Sequence, residues 1–366
     1  MNQKKVIVFM PVIDDGGGVE KNFFLITNYL SSKFKDISVI SLSISQKKKL
    51  DPKIKFISFK KIFFKFYGRR IKFIISLILL FKELLFNRNA TVLCFQGLTY
   101  CVIICKILSV KVIIRSNSSP SGWSHNYIKK KLYKIIYGMA DIIIVNSKKF
   151  KQELKSRFNL ESICIFNPLN KKEIIRNSKK KIQIKFFTDN SFKIISVARF
   201  ADQKDHLCII KSINLLKNKF KNIKVLLIGS GEKKREIKNM IHLFRLKKII
   251  KIMSFKKNPY PFMKKANIFI LSSKFEGLPN VLLEAITLNK FVISSNCPTG
   301  PSEILDNGKG GLLFKVGDHI QLSKKITFAL NNKKECNNKL LFAKKRLQRF
   351  DYHNNLLKYF KILKNS

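Results

Sequence analysis

Short runs of β-branched and aliphatic residues alternate along the chain with longer stretches whose apolar positions recur at helical spacing. The runs predict strands over Lys5–Pro11, Ser38–Ser43, Thr91–Phe95, Lys111–Arg115, Asp141–Asn146 and Ser162–Phe166. A second series follows over Lys193–Ala198, Lys224–Ile228, Ile249–Met253, Ile268–Ser272 and Phe291–Ser295. Between them the helical period predicts helices over Lys21–Leu30, Ile71–Phe86, Tyr127–Gly138, Lys148–Arg157, Leu207–Lys217, Lys233–Phe244 and Val281–Leu288. Strands alternating with helices belong in parallel sheets covered on both faces. The rhythm restarts after 178–191, a charged and polar stretch around a short apolar segment. The expected fold class is therefore α/β, with two doubly wound domains over 1–180 and 181–345 facing each other across a cleft. Ligands of such sheets bind beyond the carboxyl ends of the strands, so chemistry is sought in the loops there.

The chain has 366 residues, enough for two domains at roughly 150 residues each. With 46% hydrophobic residues and only 15 glycines, disordered and collagen-like classes are excluded. There are 73 Lys and Arg against 22 Asp and Glu, a formal charge of +51, and only 11 of the 73 are Arg. Abundant Lys, Ile, Asn and Phe with scarce Ala and Arg is a pattern that compositional bias of a genome produces, but bias does not explain the shortage of acids. A field this positive attracts polyanions: nucleic acid, an anionic membrane leaflet, or nucleotide and pyrophosphate ligands. Against nucleic acid stand the sparse arginines and the lack of any RRM, KH, zinc-finger or basic-region signature. No internal repeat is present.

Seven cysteines, at 94, 101, 105, 164, 208, 297 and 336, show no metal-type pairing and read as buried thiols of a reducing compartment. The N-terminus imitates a signal peptide, but its apolar run contains Pro11, stops at Asp14-Asp15 and lacks a small-residue cleavage site; it reads as a first strand. The longest apolar run, Phe73–Phe81, is interrupted by Ser76 and falls short of the ~20 residues of a membrane span. The expectation is a cytoplasmic protein that does not cross a membrane.

Three loops carry candidate chemistry. Gly16-Gly17-Gly18 lies between the first strand and a helix beginning near Glu20, where close backbone approach and a helix N-terminus suit a phosphate; a flexible turn is the plainer reading. It is not a dinucleotide fingerprint, since the spacing is wrong and no acid ends the second strand. Arg199 and Lys204 share a loop that opens a helix, and two converging cations there suit a diphosphate, although cations are cheap in this chain. The strongest signal is Ser272-Ser273-Lys274-Phe275-Glu276-Gly277-Leu278-Pro279-Asn280-Val281, running on to Glu284. Carboxylates are scarce here, yet two flank a Gly/Pro helix start. One can accept sugar hydroxyls and the other a ribose diol, while the helix N–H groups meet phosphate; the alternative is two helix-start acids favoured by the dipole.

With these segments in view the chain resembles the retaining, nucleotide-sugar-dependent glycosyltransferases of family 4, which have the two-domain, Rossmann-like GT-B architecture. The resemblance spans nearly the whole length. It rests on Gly17-Gly18-Val19-Glu20, Val145-Asn146-Ser147, Asn167-Pro168, Arg199 to Lys204, Gly229-Ser230-Gly231-Glu232 and above all the Glu-x7-Glu element from Glu276 to Glu284. Asn258-Pro259 and Cys297-Pro298-Thr299-Gly300 resemble the branch that adds N-acetylhexosamine or hexose to lipid-linked surface glycans. The resemblance implies that Arg199 and Lys204 bind the donor diphosphate, that Glu276 contacts the donor sugar and that Glu284 holds the ribose. It further implies donor binding by Gly17, Gly18, Gly229, Gly277, Leu278, Pro279, Asn280 and Val281. The acceptor falls to the first domain, with Arg115, Asn117 and His125 as candidates, and a C-terminal helix over 346–366 returns to that domain. Where the family phrase has Gly-Arg this chain has Ala198-Arg199, and Phe255 stands where many members have Gly near the base. No metal or other cofactor is implied: the charge developing on the leaving diphosphate is met by cations and a helix N-terminus.

Two predicted helices of the first domain bear on the acceptor. The one over Ile71–Phe86 has an apolar face wider than one sheet contact needs. In Ile128–Tyr137, Lys129, Lys130, Lys131 and Lys134 stand opposite Ile128, Leu132, Ile135 and Ile136. A buried helix and a solvated cationic face are the plainer readings. The sharper one lays both on an anionic leaflet, where each basic residue contributes about 1 kcal/mol. The expected protein takes a sugar from a nucleotide donor, most simply UDP-linked, to a polyprenyl-diphosphate-linked or lipid A-linked glycan of lipopolysaccharide or capsule. It would work at the inner face of the cell membrane. The rivals are a glycosyltransferase with a soluble acceptor and a basic nucleic-acid-binding protein.

Overall fold

A computed structural model describes residues 3–14, 16–59, 68–117, 127–187 and 190–366. The chain forms two compact units, one of Met1–Pro168 with Tyr352–Ser366, the other of Leu169–Asp351. The first holds β1 (Val6–Phe9), α1 (Gly18–Ser31), β2 (Ile37–Ile40), β3 (Lys55–Ile57), α2 (Arg69–Leu85), β4 (Thr91–Cys94), α3 (Leu98–Ile107), β5 (Lys111–Ser116), α4 (Tyr127–Gly138), β6 (Ile142–Val145), α5 (Lys148–Phe158) and β7 (Ile163–Cys164). The second begins with α6 (Lys171–Ser178), β8 (Phe192–Val197), α7 (His206–Leu216), β9 (Ile223–Ile228), α8 (Lys234–Leu243), β10 (Ile250–Met253) and α9 (Tyr260–Lys264). It continues with β11 (Ile268–Leu271), α10 (Asn280–Thr287), β12 (Phe291–Ser295), α11 (Pro301–Ile304), β13 (Leu312–Phe314), α12 (His319–Asn331) and α13 (Lys333–Arg346). The last helix, α14 (Tyr352–Asn365), belongs to the first unit.

Each unit is a doubly wound α/β layer structure. The first sheet has seven strands in the order β3-β2-β1-β4-β5-β6-β7, the second six in the order β10-β9-β8-β11-β12-β13. Every pairing is parallel. In both, the order reverses at the first strand, between β1 and β4 and between β8 and β11; an open sheet leaves a ligand crevice at that place. Central strands such as Val6–Phe9 and Ile268–Leu271 are buried on both faces, which is why they read as continuous apolar runs.

The second unit starts at Leu169, ahead of the boundary expected at 180/181. Asn170 caps α6 by accepting from Glu173 N, and α6 packs on α9 and α10 of the second unit. The terminal helix starts at Tyr352, after a short 3-10 turn over Leu347–Phe350. Its Leu356, Tyr359 and Leu363 enter the apolar cluster beneath α1, where Phe360 meets Phe34 edge to face at 5.5 Å. No helix among the described residues is long and apolar enough to cross a membrane.

Candidate functional site

The segments singled out in the second half of the sequence meet at the carboxyl ends of β8 and β11, the two strands that flank the reversal of order. The loop after β8 is fastened first to the loop after β9: Phe200 N donates to Ser230 O, and Lys233 N donates to Phe200 O, each at 2.9 Å. A Cβ on Gly229 would lie 2.0 Å from Ala198 O, so only glycine lets these two loops touch. A single 3-10 turn, Asp202–Lys204, then presents Lys204, and Asp205 caps α7 by accepting from Cys208 N at 3.2 Å.

The loops after β8 and β11 are stitched together. Lys274 N donates to Gln203 O at 2.8 Å, Gln203 Nε2 donates to Phe275 O at 2.7 Å, and Ser272 Oγ donates to Lys204 O at 2.8 Å. Across this seam Lys204 Nζ meets Glu276 Oε1 at 2.5 Å, and Ser273 Oγ donates to the same oxygen at 2.6 Å. The Glu276 side chain is 9% exposed and that of Lys204 19%. The pair is therefore held on the lip of the crevice and little screened by water. Arg199 stands exposed at the head of the same loop. Gly277, Leu278 and Pro279 are buried; Pro279, which has no polar side chain to cap with, starts α10, whose first residues Asn280 and Val281 are half-buried. The loop after β12 closes on this turn. Thr299 Oγ1 donates to Glu276 O, and Gly300, at φ +87°, brings its Cα so near Gly277 O that a Cβ would lie 2.2 Å from it.

Glu284 lies inside α10 and is buried, and Tyr260 OH donates to its Oε1 at 3.2 Å. Tyr260 is placed at the start of α9 beside Asn258, which takes Tyr260 N on Oδ1 and gives Nδ2 to Asn177 O at 2.9 Å. Lys204, Glu276, Gly229 and the Gly277–Val281 turn are thus brought into one stitched group of loops, with Glu284 following in the helix they open. The sequence assigns no role to Ser273, Gln203, Tyr260 or Thr299, although Ser273 and Thr299 lie within the quoted motifs. Ser273 and Tyr260 sit beside residues that were singled out, but nothing in sequence spacing tells which neighbour turns its hydroxyl toward a carboxylate.

Burial and nearby charge set the titration of the surrounding groups. Burial, then the negative Glu276, pushes the Cys297 thiol up to about 12, so it stays protonated. Burial, then Lys204, pushes His206 down to about 4; its ring lies edge to face on Phe200 at 4.9 Å, and neither ring nitrogen has a hydrogen-bond partner among the described residues. The folded chain keeps this imidazole neutral down to about pH 4, whereas the unfolded chain protonates it near 6.5. Between those values the unfolded state binds more protons. His206 therefore costs nothing above pH 6.5 and removes stability as the pH falls toward 4, on the order of 3 kcal/mol in total. Denaturant unfolding of wild type and His206→Phe at neutral pH and near pH 4.5 checks this: wild type should lose more stability than the variant, and equal losses would clear His206.

In the first unit, Gly17 is the N-cap of α1 and Gly18 its first residue, so the helix begins ahead of Glu20, whose carboxylate folds over Gly17. A cavity of about 400 Å³ opens at the carboxyl ends of β1, β4 and β5, where the order of the first sheet reverses; Arg69, Phe73, Gln96, Asn117 and Tyr137 are among its lining residues. Asn117 is thus in a position to meet a ligand. Arg115 is not. It is fully buried, gives Nε to Tyr359 OH at 2.8 Å and its terminal nitrogens to Asn167 Oδ1 at 2.6 Å and to Asn117 Oδ1, and lies over the Phe95 ring. This corrects the acceptor role expected for Arg115: the guanidinium is spent inside the unit, holding α14 and the end of the first half of the chain to β5. His125 lies outside the described residues. Among the described residues no group of three or more His, Cys, Asp or Glu side chains gathers in a way that could hold a metal ion.

Residues 177–346 match the family of group 1 glycosyl transferases. The match covers most of the second unit. An uncharacterised glycosyltransferase of Methanocaldococcus jannaschii is 35% identical over 178 residues, which is 47% of this chain and 44% of that relative, so the chain spans about half of its length. A Campylobacter jejuni relative, GalNAc-alpha-(1->4)-GalNAc-alpha-(1->3)-diNAcBac-PP-undecaprenol alpha-1,4-N-acetyl-D-galactosaminyltransferase, is 24% identical over 94% of both chains. The crystal structure of Anabaena HepE in complex with UDP-glucose superposes with a TM-score of 0.79 at 15% identity, covering 99% of this chain and all of the other. That likeness extends the fold assignment to both Rossmann-like units, which together make the GT-B architecture.

Proposed function

We propose that this chain is a retaining glycosyltransferase that takes a hexose or N-acetylhexosamine from a UDP-sugar to a lipid-linked glycan of a surface polysaccharide, without a resident metal. The observation that carries the donor half is the Lys204–Glu276 pair on the lip of the second sheet's crevice, beside the N-terminus of α10. In the transfer, the bond between the anomeric carbon and the diphosphate oxygen breaks with its electron pair going to that oxygen. The acceptor hydroxyl oxygen bonds to the anomeric carbon from the same face, and its proton passes to the departing diphosphate. The negative charge growing on the leaving oxygen needs cations already in place, which Lys204, Arg199 and the positive end of α10 supply. Glu276, fixed by Lys204 and Ser273, accepts hydroxyls of the donor sugar and positions it. Glu284 accepts the ribose diol.

Support for a lipid-linked acceptor comes from the undecaprenol-diphosphate-linked substrate in the name of the Campylobacter relative, and support for UDP from the Anabaena complex. The cavity in the first unit, lined by Asn117, Gln96 and Arg69, is the place proposed for the acceptor's polar head. With such an acceptor the chain works against the inner face of the cell membrane. Hydrolysis and binding across a panel of UDP-, GDP- and ADP-sugars, with and without EDTA, test the reading. Slow hydrolysis of one UDP-sugar, unchanged by EDTA, is expected. No donor bound by folded protein would overturn it, and a loss with EDTA would overturn the metal-free part.

Tyr260→Phe is expected to weaken nucleotide binding about five- to tenfold, the size of one ordinary hydrogen bond, while leaving kcat nearly unchanged. The effect should vanish when the ribose of the ligand lacks its hydroxyls, because Tyr260 acts through Glu284. An equal penalty on both ligands would show instead a general disturbance of α9.

A further inference from the structure

More than half of the large hydrophobic side chains that stand exposed among the described residues belong to α2, α3, α4 and the residue that follows α2 or α4. Ile74 and Ile78 on α2 are each 56% exposed, Ile107 on α3 is 70%, and Leu132 and Ile135 on α4 are 53% and 56%. In the second unit the exposed ones are scattered singly over separate elements, the ordinary condition of a surface. Here they cluster. α3 packs against both α2 and α4, and Phe73 of α2 meets Tyr100 of α3 edge to face at 5.4 Å, so the three helices form one face.

The charge on that face is of one sign. α4 carries Lys129, Lys130, Lys131 and Lys134 and no acid, and α2 opens with Arg69-Arg70, of which Arg69 pairs with Asp14 at 3.2 Å. The acid of α2, Glu83, is engaged by Lys5, and Lys106 of α3 by Asp141. Exposed isoleucines and leucines interleaved with lysines suit a bilayer surface. The apolar ends enter the acyl boundary while the ammonium groups stay among anionic headgroups. A protein partner would need a matching run of acids and apolar groups, whereas an anionic leaflet supplies both without shape matching. The same three helices also wall the cavity of the first unit, through Arg69 and Phe73 of α2, Leu98 of α3 and Tyr137 of α4.

We propose that the α2–α3–α4 face lies on an anionic membrane leaflet and that a lipid-anchored acceptor enters the first unit's cavity from that side. The docking part stands on the face alone; the entry part rests on the lipid-linked acceptor proposed above. The test uses the full chain and co-sedimentation with vesicles of phosphatidylglycerol and phosphatidylcholine in equal parts, against pure phosphatidylcholine. Wild type should bind the anionic vesicles at least tenfold more tightly. Ile74→Glu with Leu132→Glu, and separately Lys129→Gln with Lys131→Gln and Lys134→Gln, should each lose at least tenfold. Both sets should keep the wild-type Tm and UDP-sugar hydrolysis, since Arg199, Lys204, Glu276 and Glu284 lie in the other unit and none of the substituted residues lines the first unit's cavity. Leu243→Glu with Lys247→Gln and Lys248→Gln, on the second unit, should bind as wild type does.

Equal losses from both units would mean attraction by net charge alone and would overturn the proposal. So would wild-type vesicle binding by the face variants, or a change in their oligomeric state without a change in vesicle binding. Vesicle docking by the face in a protein that turns over no donor would leave the docking surface standing while the proposed reaction fell.

Discussion

Lys204→Ala is expected to lower UDP-sugar turnover by roughly 10²–10³-fold, the usual cost of removing one preorganised group from a developing oxyanion. The expectation follows from where the lysine is held. Its backbone carbonyl is tied to Ser272, its neighbour Gln203 is tied to the loop after β11, and its ammonium is drawn onto Glu276. A cation so fixed need not be ordered when charge appears. The loss should fall mainly on kcat, because the interaction strengthens only as the diphosphate departs. The same substitution leaves Glu276 buried with Ser273 but without its cation, and a stability cost of about 1–3 kcal/mol accompanies it. Tm is therefore measured alongside turnover. Glu276→Gln keeps the shape and the Ser273 contact, removes that burden, and separates loss of charge pairing from loss of fold. If Lys204→Ala retains turnover within threefold while remaining folded, the loop after β8 is not the site of leaving-group stabilisation.

Arg115→Met carries the largest expected effect on stability. Arg115 is fully buried and donates to Tyr359, Asn167 and Asn117, with Phe95 beneath it. Substitution loses three charge-assisted hydrogen bonds and leaves the buried Tyr359 and Asn167 oxygens without the guanidinium. Relief of the buried charge offsets part of this, leaving a net loss on the order of 3–5 kcal/mol. Arg115→Lys should recover little, since one ammonium cannot reproduce the planar fork that reaches three partners in different directions. Tyr359→Phe, which removes one of the three, should cost about 1–2 kcal/mol. Denaturant midpoints check all three, with limited proteolysis near Tyr352 reporting whether α14 detaches. A wild-type midpoint for Arg115→Met would show that the guanidinium contributes nothing net.

Much of this architecture was legible in the sequence because each central strand is apolar on both faces and each loop that matters follows such a strand. What was missed has physical causes. β3 and β13 are three residues long at the edges of their sheets, too short for periodicity to register. α3, Leu98–Ile107, is apolar almost all round, so its two buried cysteines gave no helical contrast. Arg115 was misread for a different reason. The family resemblance makes it an acceptor candidate, and only the fold shows that Tyr359, far along the chain, comes back to receive its Nε. Glu276 and Lys204 were legible because acids are scarce and the Gly277–Pro279 turn is distinctive. Tyr260 was not, since its bearing on Glu284 depends on how α9 packs against α10.

The return of α14 gives the two units different histories during synthesis. Residues 169–351 are contiguous, so the second unit can close its core as soon as it has been made. The first unit is made earlier yet cannot finish: until residues 352–366 exist, Leu356, Tyr359 and Leu363 are missing beneath α1 and Arg115 lacks its phenol partner. The half of the chain that carries the exposed apolar helices thus waits, incompletely sealed, while residues 169–351 are made, and it is there that a chaperone or an early membrane encounter would matter most.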